Sequence, residues 1–286
     1  MTLRLPISLL LSLVLLTCAS SPQPAATPLL ANGFAADLGV SLRAMAVGEF
    51  SLNYAEAGQP GMPTLVMIHG TPGSWRSLSR LFDDPQLQQN FRLVSIDRPG
   101  WGGSPLLHKD TEGVFNEQVK LIVPLLQQLR VEANGEPMIL VGHSYGGSIA
   151  PYIAYKHPEL VDGLVMASSA IDPLLGKPRW YNYAASVWPI SAIIDDRLVK
   201  ANVEIWGVAN ALRELEPWWQ SVKIPMVYLQ GEQDELVDPR NLDFAETVLP
   251  SENTSVIRIP NQGHLTHRQQ SGLIARQVME VLSQIN

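Results

Sequence analysis

The chain has 286 residues, of which 46% are hydrophobic and 16% charged, and its formal net charge is −7. This composition excludes a largely disordered protein, and the length is sufficient for one large domain with a substantial core. The acidic balance and the lack of basic runs argue against a nucleic-acid or anionic-membrane partner.

The N-terminal segment predicts an exported protein. Arg4 precedes the apolar run 7–16, which is too short to span a bilayer as a helix but is typical of a signal peptide. The single cysteine, Cys18, can form no internal disulfide, and its position resembles that of the lipidated cysteine of bacterial lipoproteins. We predict a signal peptide over 1–18 and a flexible tether over 19–40. Two alternatives stay open: a soluble periplasmic or secreted protein, and one lipid-anchored to a bacterial membrane through Cys18.

From residue 41, short apolar runs alternate with segments of helical pattern. Two runs on either side of Gly48 predict two edge strands. Six later runs lack polar alternation, which is typical of strands buried on both faces of a parallel sheet. These six runs are 64–70, 91–97, 138–144, 162–169, 225–231 and 255–260. The order predicts an α/β fold with a mostly parallel eight-stranded sheet flanked by helices.

Helical patterns cover 74–82, 116–129 and 144–157, and an amphipathic stretch closes the chain. Pro124 is expected to kink or divide the second of these helices.

The interval between the strands at 162–169 and 225–231 is too long for a simple crossover connection. We predict a helical cap over 174–223, inserted between core segments 41–173 and 224–286. Most of the cap tryptophans are expected to pack the cap onto the body, and a subset to line an apolar pocket. The cap tryptophans are Trp180, Trp188, Trp206, Trp218 and Trp219.

A candidate nucleophile lies in the segment GHSYG at 142–146, between a predicted strand and a predicted helix. This G-x-S-x-G spacing is a weak signal alone. On a strand–turn–helix it holds a serine in strained geometry, with its hydroxyl exposed at the carboxyl end of the sheet. An ordinary tight turn is the alternative, and the context favours a nucleophile at Ser144.

A serine nucleophile needs an adjacent base, and the chain has six histidines. His264 is the predicted base, because its loop follows the final strand and can reach the carboxyl end of the sheet. His143 is expected to pack locally, and His267 to be exposed in the first turn of the last helix. The remaining histidines, His69, His108 and His157, are assigned to loops and helix ends.

A carboxylate must fix the tautomer of this base and stabilise its imidazolium. Asp234 is the predicted acid, since it lies just past the strand at 225–230 and 30 residues before His264. Asp172 is the alternative, and Asp238 is expected to be a turn or cap residue.

The remaining part is an oxyanion hole, in which backbone N–H groups face the oxygen of a tetrahedral intermediate. The N–H of Tyr145, directly after the serine, is one predicted donor. Thr71 is the second, in the loop 69–75, whose glycines permit a tight backbone path.

Five motifs resemble those of the α/β-hydrolase fold superfamily, as does the chain order Ser144, Asp234, His264. The motifs are HGTPGSW (69–75), DRPGWGGS (97–104), GHSYGG (142–147), GEQDELV (231–237) and NQGH (261–264). The resemblance covers nearly the whole chain after the tether and is nearest to the subgroup that contains epoxide hydrolases, haloalkane dehalogenases and related esterases. It implies the α/β-hydrolase fold with a small helical cap.

One residue differs from the epoxide hydrolases and dehalogenases of that subgroup, which use an aspartate nucleophile where this chain has Ser144. The resemblance therefore implies acyl transfer through an acyl-enzyme instead of ring opening or dehalogenation. We expect a carboxylesterase-like enzyme that acts on a small or medium apolar ester. No metal and no organic cofactor are implied, and the expected partner is a small-molecule substrate.

Other functions stay open at this point. Amide or peptide cleavage, as in proline iminopeptidases, needs an acidic site for the substrate amine. C–C bond hydrolysis is a further alternative, and a non-catalytic binding protein is less favoured because no triad member is missing. The acidic candidates in the cap are Asp195, Asp196, Glu204 and Glu214.

Overall fold

A computed structural model describes residues 35–105 and 115–285. The predicted signal peptide, Cys18, the tether up to residue 34 and His108 lie outside these described residues. Ala35 and Val40, at the end of the predicted tether, are buried against the body. Among the described residues, no helix has the length and apolar character needed to cross a membrane.

Eight strands form a single sheet in the order β1-β2-β4-β3-β5-β6-β7-β8. They are β1 (Ser41–Val47), β2 (Phe50–Ala57), β3 (Thr64–Ile68), β4 (Arg92–Ile96), β5 (Met138–His143), β6 (Gly163–Ala167), β7 (Met226–Gly231) and β8 (Thr254–Ile259). β2 pairs antiparallel with β1 and β4, and the other pairs are parallel. The predicted mostly parallel eight-stranded sheet is confirmed. The prediction of β2 as an edge strand is wrong, because both of its sides are hydrogen-bonded.

The helices connect these strands across both faces of the sheet. They are α1 (Pro85–Asn90), α2 (Phe115–Glu132), α3 (Tyr145–Lys156), α4 (Trp180–Ala185), α5 (Ile190–Ile193), α6 (Asp196–Trp219), α7 (Asn241–Val248), α8 (Thr266–Gln269) and α9 (Ser271–Ile285). Short 3₁₀ helices cover Trp75–Leu81 and Pro158–Leu160. Pro124 lies inside α2, which runs unbroken from Phe115 to Glu132, so the predicted division of this helix is wrong.

Two apolar layers enclose the sheet. Residues of α2, α3 and α6 form one layer, and residues of α9 and the 3₁₀ helix at Trp75–Leu81 form the other. Strands β3 to β6 are buried along their whole length, which explains why their sequences lack polar alternation. Because β3 to β8 are linked by parallel pairs, their carboxyl ends meet along one side of the sheet.

Helices α4 to α6 fill the long interval between β6 and β7. Trp219 is fully buried there, but Trp180, Trp188 and Trp206 are 62%, 78% and 40% exposed. The expectation that most cap tryptophans pack onto the body is therefore wrong for these three. None of the three belongs to the apolar layer that holds Trp219.

Candidate active site

Ser144 lies on a sharp turn between β5 and α3, with φ 54° and ψ −125°. A positive φ is strained for a residue with a side chain, and it persists only where the surroundings enforce it. The Ser144 N–H donates to the Ala167 carbonyl at 2.9 Å. A Cβ at Gly146 would overlap the carbonyl of Ile68, so only glycine lets α3 begin this close to β3.

The structure brings His264 and Asp234 together. The His264 Nδ1 lies 2.8 Å from the Asp234 Oδ2, and because a carboxylate accepts, Nδ1 carries the proton. With the proton on Nδ1, the neutral ring has its lone pair on Nε2, the atom a general base would use. The other Asp234 oxygen accepts from the N–H groups of Leu236 and Val237, both at 2.9 Å. The carboxylate is therefore buried and held from both sides.

The other carboxylates considered for the acid have local partners. Asp172 Oδ1 accepts from the Leu174 N–H at 2.7 Å. Asp238 accepts from the Arg240 N–H and its guanidinium at 2.8–3.0 Å. Asp172 and Asp238 therefore make the local contacts of turn residues. Of the three carboxylates, Asp234 is the one that bonds to His264.

Three histidine rings pack together beside the serine turn. The His143 ring lies 3.7 Å from that of His267 and 4.9 Å from that of His264. His143 Nε2 donates to the His264 carbonyl at 3.0 Å, so it fixes the backbone of the predicted base. His267 is buried, which corrects the expectation of an exposed residue: α8 packs against the 3₁₀ helix that follows β3.

Burial favours the neutral form of two of these rings, His143 and His267. Burial and the neighbouring charge of Arg268 lower the pKa of His267 to about 3. Burial, with the adjacent His267 and His264, lowers the pKa of His143 well below its usual value. Neutral rings can stack closely, whereas two imidazolium ions at these distances would repel each other.

The predicted oxyanion loop follows β3 and lies directly against the nucleophile. A Cβ at Gly70 would come within 2.8 Å of the Ser144 Cβ, so the loop backbone approaches the serine as closely as glycine permits. His69 Nε2 accepts from the Arg98 N–H at 3.0 Å, and its Nδ1 lies 2.6 Å from the Gly70 carbonyl. Thr71 therefore follows two residues whose positions are fixed, and Tyr145 opens α3 on the other side of Ser144.

A buried ion pair links this loop to the cap. The guanidinium of Arg98, after β4, binds both carboxylate oxygens of Glu204, on α6, at 2.8 and 3.0 Å. The side chains are 0% and 3% exposed. Burial raises the pKa of the Glu204 carboxyl, but the charge and hydrogen bonds of Arg98 outweigh it and the pKa is lowered. Glu204 is thus a buried carboxylate that an arginine holds in its charged form.

Sequence reasoning missed Arg98 as a site residue and placed Glu204 among the candidates for binding a substrate amine. The available signal was a charged residue directly after the apolar strand at 91–97, where burial is expected. Its partner lies 106 residues further along the chain, and no spacing in the sequence joins the two. Within residues 35–105 and 115–285, no group of three or more histidine, cysteine or acidic side chains could hold a metal ion.

Comparison with known proteins places the chain in a family. Residues 65–277 match the model of the Alpha/beta hydrolase family. The chain is 39% identical over 163 residues to a 1-acylglycerol-3-phosphate O-acyltransferase of Arabidopsis thaliana, covering 55% of this chain and 36% of that protein. It is 28% identical over 137 residues to a monoacylglycerol lipase of Xenopus laevis, covering 46% and 38%. The matches therefore span well under half the length of these relatives.

Solved structures agree on the fold. A bacterial membrane phospholipase A superposes with a TM-score of 0.66 at 22% identity, over 97% of this chain and 98% of that one. An epoxide hydrolase from Vigna radiata superposes with a TM-score of 0.64 at 14% identity, over 86% and 98%. At these identities the likeness establishes the shared architecture, and the prediction of an α/β-hydrolase fold is confirmed.

Proposed function

Since the chain belongs to the alpha/beta hydrolase family, we propose that it is a serine hydrolase that cleaves a carboxylic ester through an acyl-enzyme. The observation that carries this proposal is the His264–Asp234 hydrogen bond of 2.8 Å at the same end of the sheet as a serine with φ 54°. A strained serine turn, an oriented imidazole and a buried carboxylate are the parts that acyl transfer requires.

In this mechanism Ser144 Oγ attacks the ester carbonyl carbon, and its proton passes to His264 Nε2. The N–H groups of Thr71 and Tyr145 hold the developing oxyanion. Collapse of the tetrahedral intermediate breaks the C–O bond, and the alcohol leaves with the proton from His264. Water, deprotonated by His264, then attacks the acyl-enzyme, and the same steps release the acid and restore Ser144.

An apolar acyl ester of small or medium size is the proposed substrate class. Two similar proteins, the monoacylglycerol lipase and the acylglycerol-phosphate acyltransferase, have names that specify acyl esters of glycerol. The acyltransferase supports a second outcome for the same acyl-enzyme, in which an alcohol replaces water as the acceptor. Measuring the ester formed when glycerol is added to the assay separates transfer from hydrolysis.

Amine recognition in the cap has less support. Glu204 is bound by Arg98, Glu214 by Lys156 at 2.9 Å, and Asp195 by Arg197 at 3.1 Å. A carboxylate already paired within the protein has less to offer a substrate ammonium group. Of the four acidic candidates, this leaves Asp196. Comparing aminoacyl-arylamides with short esters tests the choice.

We also propose that the protein is exported: cleavage before Cys18 would leave it as the lipidated first residue of the mature chain, and cleavage beyond it would release a soluble form. The apolar run before Cys18 supports this. Mass spectrometry of the mature N-terminus distinguishes an acylated Cys18 from a cleaved soluble form.

The central experiment is labelling with a fluorophosphonate probe alongside hydrolysis of p-nitrophenyl butyrate. Ser144→Ala is expected to abolish labelling and reduce kcat by at least about a thousandfold. Ser148→Ala is the matched control, because Ser148 is a buried serine in α3, directly after the Ser144 turn, and donates to the Ala170 carbonyl at 2.6 Å. A wild-type protein that the probe does not label, or a Ser144→Ala variant with full activity, contradicts the proposal.

A further inference from the structure

Every N–H group of the buried Arg98 side chain has a partner, and the partners fall into two sets. One set belongs to Glu204, on the cap helix α6, and to Gln118, on α2. The other set consists of backbone carbonyls: Nε donates to His69 at 2.9 Å and Nη2 donates to Gly70 at 3.0 Å. Five donated bonds satisfy all five N–H groups of a guanidinium, so the side chain has a single orientation.

Both halves of the proposed oxyanion hole contact this one side chain. The carbonyls of His69 and Gly70 directly precede Thr71, whose N–H is one proposed donor. The guanidinium carbon of Arg98 also lies 4.5 Å from the centre of the Tyr145 ring, a distance at which cation–π attraction is effective. Tyr145 carries the second proposed N–H donor. Arg98 therefore fixes the loop after β3 relative to the start of α3.

Glu204 holds Arg98 in this orientation from the cap. Besides its two bonds to Arg98, the carboxylate accepts from the Trp101 Nε1 and the Gln118 Nε2, both at 2.9 Å. A fully buried guanidinium without a carboxylate would keep an uncompensated charge, and it would draw water or other acceptors into the site. The position of α6 thus determines whether Arg98 can stay between the two halves.

We propose that Arg98 and Glu204 are positioning residues that align the oxyanion hole, so that the cap contributes to the chemical step as well as to substrate selection. This inference rests on the proposed function. Backbone donors act by preorganisation, and removing one donor lowers kcat by about a hundredfold or more in enzymes of this chemistry. If the N–H groups of Thr71 and Tyr145 remain but are misaligned, the effect should be smaller than that of removing a donor. We expect this effect in kcat and not in KM.

The test compares conservative variants of the Arg98–Glu204 ion pair with the same replacements in the Arg92–Glu56 ion pair. Glu204→Gln keeps the shape of the side chain and loses its charge, and Arg98→Lys keeps the charge but loses the planar fork. The controls are Glu56→Gln and Arg92→Lys, at an ion pair of 2.6 Å near the amino end of β4. For each variant, kcat and KM for p-nitrophenyl acetate and the rate of phosphonylation of Ser144 are measured, with the folded fraction from circular dichroism.

We expect Glu204→Gln and Arg98→Lys to lower kcat and the phosphonylation rate by about tenfold or more, with KM changed by less than about threefold. The controls are expected to stay within about twofold of the wild type, because they touch neither half of the oxyanion hole. The acetyl group is small, so loss of substrate contacts in the cap would not produce this pattern.

Two results overturn the inference. One is that both Arg98 and Glu204 variants keep the kcat of the controls. The other is that their loss of rate equals their loss of folded protein. If Glu204→Gln does not fold, Arg98→Lys carries the test, since it retains the charge pair. A wild-type enzyme that fails to react with the phosphonate contradicts the proposed function itself, whereas a reactive wild type with unaffected variants contradicts this inference alone.

Discussion

The two ends of strand β4 each carry a buried arginine, and the two arginines have different surroundings. Arg92, at the amino end, pairs with Glu56 and Glu132, whose side chains are 13% and 30% exposed. Arg98, just past the carboxyl end, pairs with a carboxylate that is 3% exposed. Arg92 connects β2, β4 and α2, all within the body, whereas Arg98 connects the body to the cap. Arg92 therefore stabilises the fold alone. Arg98 stabilises the fold and also contacts the proposed site.

Electrostatics explains why we expect replacement of Arg98 to cost more stability than replacement of Arg92. At the amino end, water reaches the carboxylates and screens the loss of a partner. At the carboxyl end, either charge left alone is buried without compensation, and that penalty exceeds the value of the pair itself. Arg98 also donates to backbone carbonyls, so its removal frees the loop that contacts Ser144.

The largest expected effect is a difference in the loss of unfolding free energy when each arginine is replaced. Arg98→Met leaves the Glu204 charge buried, and we expect it to lower the free energy of unfolding by about 3–5 kcal/mol. Arg92→Met should lower it by about 1–2 kcal/mol, since its carboxylates are partly solvated. Urea denaturation at neutral pH measures both. Equal losses at the two sites would show that burial does not distinguish them.

Acid sensitivity is the second way to distinguish the ends, because buried neutral histidines lie at the carboxyl end. The pKa of His267 is lowered to about 3 by burial and Arg268, so between pH 6.5 and pH 3 the unfolded chain binds a proton that the folded chain does not. The contribution of neutral His267 to the free energy of unfolding is therefore fully present above pH 6.5 and is lost as the pH decreases. We expect His267 to contribute about 2 kcal/mol of loss between pH 7 and pH 5.

Replacing His267 measures this contribution. In His267→Phe the loss of unfolding free energy between pH 7 and pH 5 should be smaller by about 2 kcal/mol than in the wild type. His157→Gln, at a half-buried histidine on the end of α3, is the matched control and should keep the wild-type difference. An unchanged pH dependence in His267→Phe would mean that this ring is not held neutral by the fold.

The smallest effect is expected at a second contact between the cap helix α6 and the body. Lys156 and Glu214 lie 2.9 Å apart, but their side chains are 34% and 50% exposed. Glu214→Gln should lower stability by less than about 1 kcal/mol and leave kcat within about twofold of the wild type. A large loss of kcat here would show that any contact between cap and body affects turnover, and the special position of Arg98 would lose its support.

Much of the architecture is predictable from the sequence, because it follows from local periodicity. The buried strands occur within one or two residues of their predicted bounds, since parallel strands covered on both faces require continuous apolar runs. The meeting of His264 and Asp234 likewise follows from a single rule, that the carboxyl ends of parallel strands converge. Their hydrogen bond follows from that topology.

Other features depend on contacts that periodicity does not encode. The burial of His267 depends on how α8 packs against a loop element about 190 residues earlier in the chain. The pairing of Arg98 with Glu204 depends on where the cap rests on the body. In the sequence Glu204 is one acidic residue on a long helix, indistinguishable from Glu214, and only the packing of α6 makes one buried and the other exposed.

The most direct measurement of the central claim removes both charges of the buried pair together. Removing both charges leaves no lone buried ion, so Arg98→Met with Glu204→Leu should have a larger free energy of unfolding than Arg98→Met alone. We predict that the rate of phosphonylation of Ser144 in this double variant is nevertheless at least about tenfold lower, because nothing then holds the carbonyls of His69 and Gly70. A stable double variant that reacts at the wild-type rate would contradict the account.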